Sequence, residues 1–434
     1  MRTDDIDAWG TRFVRLVWCD NANQIRAKAF HRDRFDEHAA AGIGIAMAQQ
    51  GVTALADAVA PGSGLTPVGE VWLRPDLGTL TRLPYCQGHA RVMADIVTAD
   101  GRPWPLCPRH FLRRMIAAVA EHGIVARAAF EHEFYLLHRQ PGGSLQPIDA
   151  SPFASTAGMD AAAVVVGEIA DALQAQGVQV QRYYPESGPG QHEISVSHAE
   201  PLQAADDAVI FRETVRAVAA RHGLHATFLP KVFPDAAGSG CHLHLSLWQD
   251  GRNLMIGEDG LSELGQRFVA GVLHHLPALM ALTTPSPNSY RRLQPQAWSG
   301  AYRVWGVDNR EAAVRVPGEP DGSSPRQIEV KTVDATANPY LALGAVLRAG
   351  LHGIEARLAP GPQTVIDPAT DPDAAERLPG DLVQAAAALA ADPQLLAALG
   401  EPLATAFLAV RREEARILRE ATLEQEVRLL IDRF

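Results

Sequence analysis

Hydrophobic and polar residues alternate in short runs along the first hundred residues. This period of two is typical of β-strands, because successive side chains of a strand point to opposite faces of a sheet. The predicted strands are RFVRLVWCD, QIRAKAF, EVWLRPD and ARVMADIV. The stretch ADGRPWPLCPRH, rich in proline and glycine, then predicts a linker. We therefore predict a small β-rich domain of residues 1–103 and a second domain of residues 104–434.

Helical and strand-like patterns alternate beyond the linker. Apolar spacing of three and four predicts helices in PRHFLRRMIAAVAEHG, AAAVVVGEIADALQAQG and AADDAVIFRETVRAVAARHG. The strand-like runs that follow them are VARAAFEHEFYLL, VQVQRYYPESGPGQHEISV and LHATFLPKVF. From about Asp381 the chain is rich in alanine, leucine and charge, which predicts outer helices, with LVQAAAALAADPQLLAAL as one amphipathic helix. The fold class predicted is α+β.

Several of the predicted strands carry acids or histidines among apolar residues. Glu131 and Glu133 are two residues apart, as are His242 and His244, so a strand directs each pair to one face. Burying several carboxylates together is costly unless cations neutralise them. We therefore predict a polynuclear metal centre in an active site, built from Glu131, Glu133, Glu186, Glu193, His242, His244 and Glu329.

Each of these signals also has a purely structural interpretation. A solvated edge strand would accommodate Glu131 and Glu133, and the segment ESGPGQHE between Glu186 and Glu193 reads equally as an ordinary turn. A single strand histidine is usually a satisfied core residue. A pair on one face after the glycine loop AAGSG favours a site, because glycines let backbone amides approach an anion.

Composition excludes several classes of protein. Hydrophobic residues make up 47% of the 434 residues, enough for a substantial core, and charge or proline interrupts every apolar stretch well short of the ~20 residues that span a bilayer. The net charge of −11 argues against nucleic acid as a partner, since that partner needs a basic face. The cysteines, Cys19, Cys86, Cys107 and Cys241, form no C-x-x-C pair. We expect a cytoplasmic location, no membrane association and reduced thiols.

Basic residues are concentrated late in the chain. They are Arg291 and Arg292 in NSYRRL, Arg310 and Arg315 in DNREAAVRVP, and Arg326 and Lys331 around Glu329 in RQIEVK. Guanidinium groups match carboxylate and phosphate geometry with two contacts. Such groups beside metal-binding acids are what phosphoryl transfer requires, because charge spreads over the phosphate oxygens. The chain has no P-loop, no dinucleotide-binding glycine motif and no nucleophile elbow.

A series of motifs follows in order along the chain: FEHEFYLL, ESGPGQHEI, ATFLPKVF, GSGCHLHLSL, NSYRRL, DNREAAVRV and IEVKTVDATANPYLALGAVLRAGLHGI. In this order and approximate spacing they resemble the glutamine synthetase family. VRLVWCD and LRPDLGTL are similar to its N-terminal domain. The resemblance implies an N-terminal β-grasp domain and a catalytic domain with a curved antiparallel sheet surrounded by helices. It also implies ATP, Mg²⁺ or Mn²⁺, and rings of subunits, commonly dodecamers, with each active site completed by a neighbour.

The resemblance also implies residue roles. Glu133, Glu186 and Glu193 match the ligands of a first metal beside the substrate carboxylate, and Glu131, His242 and Glu329 match those of a second metal on the nucleotide phosphates. The expected nucleotide-binding residues are His244, Ser246, Arg315, Arg326 and Lys231. The expected substrate-binding residues are Glu133, Gly238, Arg292, Arg310, Lys331 and Trp298, and the expected catalytic residues are Glu186, Arg292, Arg310, Arg315 and Trp298.

Departures from the family bear on the substrate. Family members that use ammonia carry an Asp-Gly-Ser-Ser loop in the N-terminal domain, and GIGIAMAQQGVTALADAVAPGSG has nothing like it. They also carry a flap glutamate shortly after the NSYRRL motif, where this chain has Trp298. Losing both anionic groups removes the attraction for a small cation, whereas an indole offers apolar surface and a π-face. Lys331 replaces an arginine and Ala237 an asparagine, which also alters the acyl phosphate region.

These observations predict an ATP-dependent acid–amine ligase. The expected reaction joins L-glutamate to an organic amine through γ-glutamyl phosphate. Two alternatives remain: a glutamine synthetase that uses ammonia, and a non-catalytic scaffold or regulator that keeps the fold. The metal ligands present in the sequence argue against the scaffold.

Overall fold

The computed structural model describes residues 3–258, 260–318, 326–371 and 375–434. Its N-terminal part holds α1 (Thr3–Ala8), β1 (Phe13–Cys19), β2 (Ile25–His31), α2 (Phe35–Ala41), β3 (Ile43–Ala46), β4 (Glu70–Pro75), β5 (Thr81–Arg82) and β6 (His89–Val97). The strands form one sheet in the order β2-β1-β6-β4-β3, with β5 paired to β6. All four strands predicted in this region are present.

The remainder of the chain forms the larger α+β region. Its elements are α3 (Pro108–Ala120), β7 (Val125–Arg139), β8 (Leu145–Pro147), α4 (Thr156–Gln174), β9 (Val180–Pro185), β10 (Gln191–Val196), α5 (Pro201–Arg221), β11 (His225–Thr227), β12 (Cys241–Gln249), β13 (Arg252–Asn253), α6 (Glu263–Thr283), α7 (Ser289–Arg292), β14 (Tyr302–Val307), β15 (Ala312–Val316), β16 (Ile328–Val330), α8 (Pro339–Glu355), α9 (Leu382–Ala390), α10 (Pro393–Leu399), α11 (Glu401–Ile417) and α12 (Leu423–Leu430). Short 3-10 helices cover Arg32–Arg34, Met47–Gly51, Leu77–Thr79 and Pro368–Thr370.

The large sheet has the strand order β14-β15-β16-β12-β7-β10-β9, and β8, β11 and β13 pair at its margins. Its strand pairs are antiparallel except β14 with β15, which run parallel. The predicted α+β fold class is therefore confirmed, with one parallel pair at the edge of a sheet that we expected to be antiparallel throughout.

The two faces of the large sheet differ in chemistry. Along β7, Phe130, Phe134 and Leu136 are buried in the main hydrophobic core. His132, on that same face, stacks on Phe211 of α5 at 4.5 Å between ring centroids. Since strand side chains alternate, Glu131 and Glu133 lie on the opposite face. Helices therefore cover one face of the sheet, and the other face carries the charged residues.

Close helix packing supports the core behind the sheet. A Cβ added at Gly271 of α6 would meet the carbonyl oxygen of Ala349 at 2.2 Å, and one at Gly353 of α8 would meet that of Arg267 at 2.1 Å. Glycine is therefore required where α6 and α8 cross, because a side chain would push the backbones apart.

The prediction of one helix over residues 382–399 is wrong. The structure has two helices, α9 and α10, whose axes differ by 83°. Pro393 begins α10 and has no N–H to continue a preceding helix. Asp392 caps α10 by accepting hydrogen bonds from the backbone N–H groups of Gln394 and Leu395 at 3.1 and 3.0 Å. The cap and the proline together start a new helix.

Ion pairs join the two parts of the chain near the predicted linker. The buried Arg109 guanidinium of α3 contacts Asp76 and Asp95 of the N-terminal part at 2.9 Å each, and Asp206 of α5 at 2.8 Å. The domain boundary between residues 103 and 104 stays a prediction. Among the described residues, no single helix is long and apolar enough to cross a bilayer, and only the bent pair α9 and α10 passes that test jointly.

Candidate active site

The central strands of the large sheet bring the predicted acids and histidines side by side. In the antiparallel register, His242 on β12 lies opposite Glu131 on β7, and Glu193 on β10 lies opposite Glu133 on β7. On the other side of β12, His244 lies opposite Glu329 on β16. Residues that are separated in sequence thus share one face, as the alternation predicted.

One half of this constellation is a compact group of carboxylates and imidazoles. His244 Nε2 lies 3.2 Å from Glu131 Oε2, and His242 Nδ1 lies 3.2 Å from Glu329 Oε1 and 3.8 Å from Glu131 Oε2. One donor atom from each of Glu131, His244 and Glu329 falls within 4.8 Å of the other two, which is close enough to hold a metal ion. His242 is adjacent to the same group.

The other half contains Glu133, Glu186 and Glu193. The Glu133 carboxylate accepts a hydrogen bond from the backbone N–H of Gly240 at 2.8 Å and lies 3.7 Å from His242 Nε2. The Tyr184 hydroxyl on β9 donates to Glu193 at 2.5 Å. The Glu186 carboxylate accepts from the backbone N–H of Ser187 at 2.8 Å. His242 therefore connects the two halves.

Burial and mutual repulsion perturb these carboxyl groups. Burial, with the charges of Glu131 and Glu133, raises the pKa of Glu193 to about 10. Burial and the charge of Glu186 raise the pKa of Glu133 to about 7. These groups lie together with too few cations to keep them ionised, and a divalent cation supplies the missing charge.

The carboxyl groups of the compact half behave in the opposite way. Burial opposes ionisation of Glu131, but hydrogen bonds from His242 and His244 hold its pKa well below the usual value. Burial likewise opposes ionisation of Glu329, and Lys331, the two histidines and Arg315 outweigh it and lower its pKa. Burial and Lys331 lower the pKa of His242 to about 4, which leaves a neutral imidazole suited to metal ligation.

Comparison with known proteins identifies the family. The glutamine synthetase N-terminal domain model matches residues 4–104, and the glutamine synthetase catalytic domain model matches residues 105–430. The chain belongs to the glutamine synthetase family. The family is one of ligases, so the chain is an enzyme of the ligase type.

Individual members of the glutamine synthetase family match over nearly the whole chain. γ-Glutamylpolyamine synthetase GlnA3 of Streptomyces coelicolor is 42% identical, over 95% of this chain and 91% of the relative. Type-1 glutamine synthetase 1 of Dictyostelium discoideum is 34% identical, over 98% and 90%. Among solved structures, the ADP complex of GmaS superposes with a TM-score of 0.87 at 31% identity and covers 99% of both chains.

Divalent metal and ATP are used by the glutamine synthetase family, and the residues here fit a metal. The donors are mostly carboxylate oxygens with imidazole nitrogens, a set that suits hard or borderline divalent cations. The raised pKa values of Glu133 and Glu193 mark carboxylates that lack a counter-charge. The particular ligand sets assigned from the family resemblance stay predictions.

Cationic residues border the acids on the β12 side. The Arg315 guanidinium on β15 contacts Glu329 at 2.7 Å, and the buried Lys331 Nζ lies 3.5 Å from Glu329. The Arg292 guanidinium is buried and donates to the carbonyl oxygens of Lys331 and Thr332 at 2.8 and 3.1 Å. Gly238 allows this approach, because a Cβ there would meet Arg292 Cγ at 2.7 Å. Hydrogen bonds to the backbone therefore fix the position of Arg292. Its role in substrate binding stays a prediction.

The structure gives other contacts for some of the remaining predicted residues. Ser246 accepts a hydrogen bond from the Trp248 indole at 2.9 Å, and Lys231 Nζ donates to the carbonyl of Ala236 at 2.6 Å. Arg326 and Arg310 are exposed, before β16 and before β15. In the described part of the chain, Lys231, Ser246 and Arg310 make no hydrogen bond or ion pair with the acids. Their nucleotide and phosphate roles stay predictions.

Trp298 lies on the loop between α7 and β14. Its side chain is 58% exposed, and its backbone has φ of +54°. The backbone N–H groups of Gln296 and Trp298 both donate to the carboxylate of Glu311, at 3.1 and 2.7 Å. Sequence reasoning missed Glu311, which directly precedes β15. It also missed Tyr184, two residues before Glu186.

Proposed function

We propose that this ligase joins L-glutamate to an organic amine at the expense of ATP and forms a γ-glutamyl amide through γ-glutamyl phosphate. The single observation that carries the choice of amine is Trp298. An exposed indole stands where the resemblance expects the flap acid of ammonia-using enzymes. The similarity to a γ-glutamylpolyamine synthetase supports the same choice.

The first step transfers the terminal phosphoryl group. A γ-carboxylate oxygen of glutamate attacks the γ-phosphorus of ATP and ADP leaves, which produces γ-glutamyl phosphate. Glu131, His242, Glu329, Glu133, Glu186 and Glu193 would hold two Mg²⁺ or Mn²⁺ ions. Bound there, the ions would neutralise charge on the phosphate oxygens. Arg310 and Arg315 would contact the transferring group, and Arg292 the α-carboxylate of glutamate.

The contact between Arg315 and the acids supports this assignment. We call the group of Glu131, Glu133, Glu186, Glu193, His242, His244 and Glu329 the cage, and the Arg315 guanidinium lies 2.7 Å from Glu329. A guanidinium held at the edge of the cage is within reach of an anion placed over it. His244, Ser246, Arg326 and Lys231 would complete the nucleotide contacts.

The second step forms the amide bond. The amine nitrogen attacks the γ-carbonyl carbon, inorganic phosphate leaves, and the nitrogen gives up a proton. Glu186 is our candidate for the proton acceptor, because burial raises its pKa and makes it a better base near neutral pH. Trp298 would contact the carbon chain or the ammonium form of the arriving amine through its ring face. Gly238 and Lys331 would contact glutamate.

We also propose that the enzyme works in the cytoplasm as a homo-oligomer, as a dodecamer with active sites completed by neighbouring subunits. Support comes from the family resemblance. A light-scattering mass of the purified protein near twelve times 46.7 kDa is the expected result, and a monomeric mass for active enzyme would contradict it.

An amine panel tests the proposed function. Phosphate release is followed at saturating glutamate and ATP, with ammonium compared against monoamines, diamines, polyamines and aromatic amines. We expect at least one organic amine to exceed ammonium in kcat/KM by more than about tenfold, which corresponds to ~1.4 kcal/mol in transition-state binding. Efficient turnover with ammonium at millimolar concentration or below, and none with organic amines, would contradict the proposal.

The relatives named glutamine synthetase, such as the one from Dictyostelium discoideum at 34% identity, favour ammonia as the second candidate substrate. The same panel distinguishes the two. Nucleotide binding to the metal-loaded protein without phosphate release for any amine would instead indicate a non-catalytic scaffold.

A further inference from the structure

The loop that carries Trp298 has an unusual backbone. Gln296, Trp298 and Gly300 have φ of +57°, +54° and +77°, so three alternating residues adopt left-handed conformations. For a residue with a side chain this conformation costs roughly 1–2 kcal/mol. Gly300 also packs closely on β15, where a Cβ would meet Ala313 Cα at 2.8 Å. Such a loop persists only where its surroundings hold it.

Glu311 is the residue that holds it. Its Oε1 accepts from the Trp298 N–H at 2.7 Å and its Oε2 from the Gln296 N–H at 3.1 Å. The side chain is only 7% exposed, and no ion pair joins it to an arginine, lysine or histidine among the described residues. Hydrogen bonds to an ionised carboxylate are about twice as strong as neutral ones. Among the described residues, the hydrogen bonds of this carboxylate therefore go to the loop.

Glu311 is itself held rigidly. Its backbone N–H donates to Asn309 Oδ1 at 3.0 Å, and Asn309 Nδ2 donates to the carbonyl oxygens of Thr364 and Ile366 at 2.8 and 3.0 Å. The Gln296 side chain donates to Asp367 at 3.2 Å. Hydrogen bonds thus connect the Trp298 loop and the segment of residues 364–367 to the residues just before β15.

Strand geometry connects this arrangement to the acids. Glu311 directly precedes β15, and Arg315 on that strand contacts Glu329 at 2.7 Å. The backbone N–H of Lys331 donates to the Ala313 carbonyl at 2.9 Å. Burial raises the pKa of Glu311, and the charge of Lys331 opposes that rise. Glu311 therefore lies just before the first residue of β15, the strand that carries Arg315.

We infer that Glu311 is a positioning residue that fixes the Trp298 loop before the amine arrives and thereby sets the affinity for the amine. It acts through the backbone of the loop, to whose Gln296 and Trp298 N–H groups it is hydrogen bonded. The inference rests on the proposed function only for the identity of the ligand. That the loop is fixed by this carboxylate is a statement about the protein alone.

The test substitutes Glu311→Gln, which keeps the size but replaces one acceptor oxygen with an NH₂ group facing a backbone N–H. We expect KM for the best amine to rise by about 2- to 12-fold, in line with the net loss of one typical hydrogen bond. KM for ATP and glutamate should change less than about twofold. Amide hydrogen exchange at Gln296 and Trp298 should accelerate at least about tenfold, since local opening becomes easier.

A matched control and a double variant complete the design. Glu376→Gln removes an exposed carboxylate that pairs with Arg303 on the adjacent β14 and should leave all three KM values unchanged. In a Trp298→Ala background, Glu311→Gln should add no further rise in amine KM, because both act through one loop. Should Glu311→Gln fail to fold, Glu311→Asp, which keeps the charge on a shorter side chain, must show the same selective rise.

An equal rise in the KM values of ATP and amine, additive effects in the double variant, or unchanged exchange at Gln296 and Trp298 would overturn the inference. The exchange measurement requires no turnover. If the chain proved to use ammonia, accelerated exchange would still support the positioning role of Glu311 while the amine panel rejected the proposed function.

Discussion

The group of acids and histidines and the Trp298 loop are built in opposite ways. The acids and histidines stand on regular antiparallel strands, where register alone sets Glu131 opposite His242 and Glu133 opposite Glu193. Trp298 stands on a left-handed loop whose shape depends on hydrogen bonds to Glu311, thirteen to fifteen residues away. Local periodicity specifies the face that carries the acids and histidines. The shape of the Trp298 loop is specified by Glu311, a residue outside the loop.

This difference has a functional consequence. Strands deep in a sheet resist movement, so the cage can keep one geometry for metal and phosphate. Substitutions in a loop held by two hydrogen bonds, or at Glu311, can be made without disturbing the strands that carry the cage. We therefore expect substitutions in the cage to abolish chemistry for every amine and substitutions in the loop to change which amine is used.

The largest effect should follow Glu131→Gln. The substitution keeps the shape but removes a charge that both histidines contact. We expect phosphate release with every amine to fall by more than about 100-fold, beyond the roughly 10- to 100-fold typical of partners that act behind a metal ligand. Glu263→Gln, an exposed carboxylate at the start of α6, is the control. If the variant kept its activity and changed its amine preference, the expectation that the cage serves chemistry and the loop serves amine choice would be wrong.

The next effect concerns Tyr184, whose hydroxyl donates to Glu193 at 2.5 Å. Tyr184→Phe removes that donor and should weaken Mn²⁺ binding by about 10-fold, as for other outer partners of metal ligands. Calorimetric titration with Mn²⁺ measures the change. Unaltered affinity would show that Glu193 is oriented without the tyrosine.

Trp298→Ala should act on the amine alone. Loss of the indole face should raise amine KM by about 3- to 30-fold, the range that a cation–π contact of ~0.5–2 kcal/mol allows. ATP KM, measured from initial rates at saturating amine, should stay within about twofold. Equal loss for all amines together with weaker ATP binding would mean that the loop belongs functionally to the cage.

The smallest expected effect is on thermal stability. In the metal-free protein the pKa values of Glu133 and Glu193 are raised to about 7 and about 10 from 4.5, so the folded state holds protons that the unfolded state lacks. Histidines with lowered pKa values, such as His242, act in the opposite sense below about pH 6.5, so stability without metal should fall as pH rises from about 7 toward 10, where Glu193 loses its proton. Metal competes with these protons, so the rise in Tm on adding Mn²⁺ should be larger at pH 8 than at pH 6. A larger rise in Tm at pH 6 than at pH 8 would contradict this prediction.

Much of the cage could be predicted from sequence, because the signals were local. Two acids separated by one residue on an apolar strand define a face, and the same holds for His242 and His244. Strand order and register are set by pairing between distant segments, so the hydrophobic pattern alone could not predict them. The resemblance to the glutamine synthetase family supplied the expectation that acids and a histidine from separate segments bind shared metals.

The errors and omissions have physical reasons. The helix predicted over residues 382–399 ignored how strongly Asp392 and Pro393 start a new helix. Glu311 was missed because its partners are backbone N–H groups in a loop of left-handed residues, and nothing in the side-chain pattern announces such residues. Tyr184 was missed because its role depends on the pairing of β9 with β10.

The most direct test of the account compares ammonium with organic amines for the unmodified protein and for Trp298→Ala and Glu131→Gln under identical conditions, with phosphate release as the readout. The account predicts that the unmodified protein prefers an organic amine, that Trp298→Ala loses the preference but keeps turnover, and that Glu131→Gln loses turnover for every amine. An unmodified protein that uses ammonium best, with a preference untouched by Trp298→Ala, would contradict it.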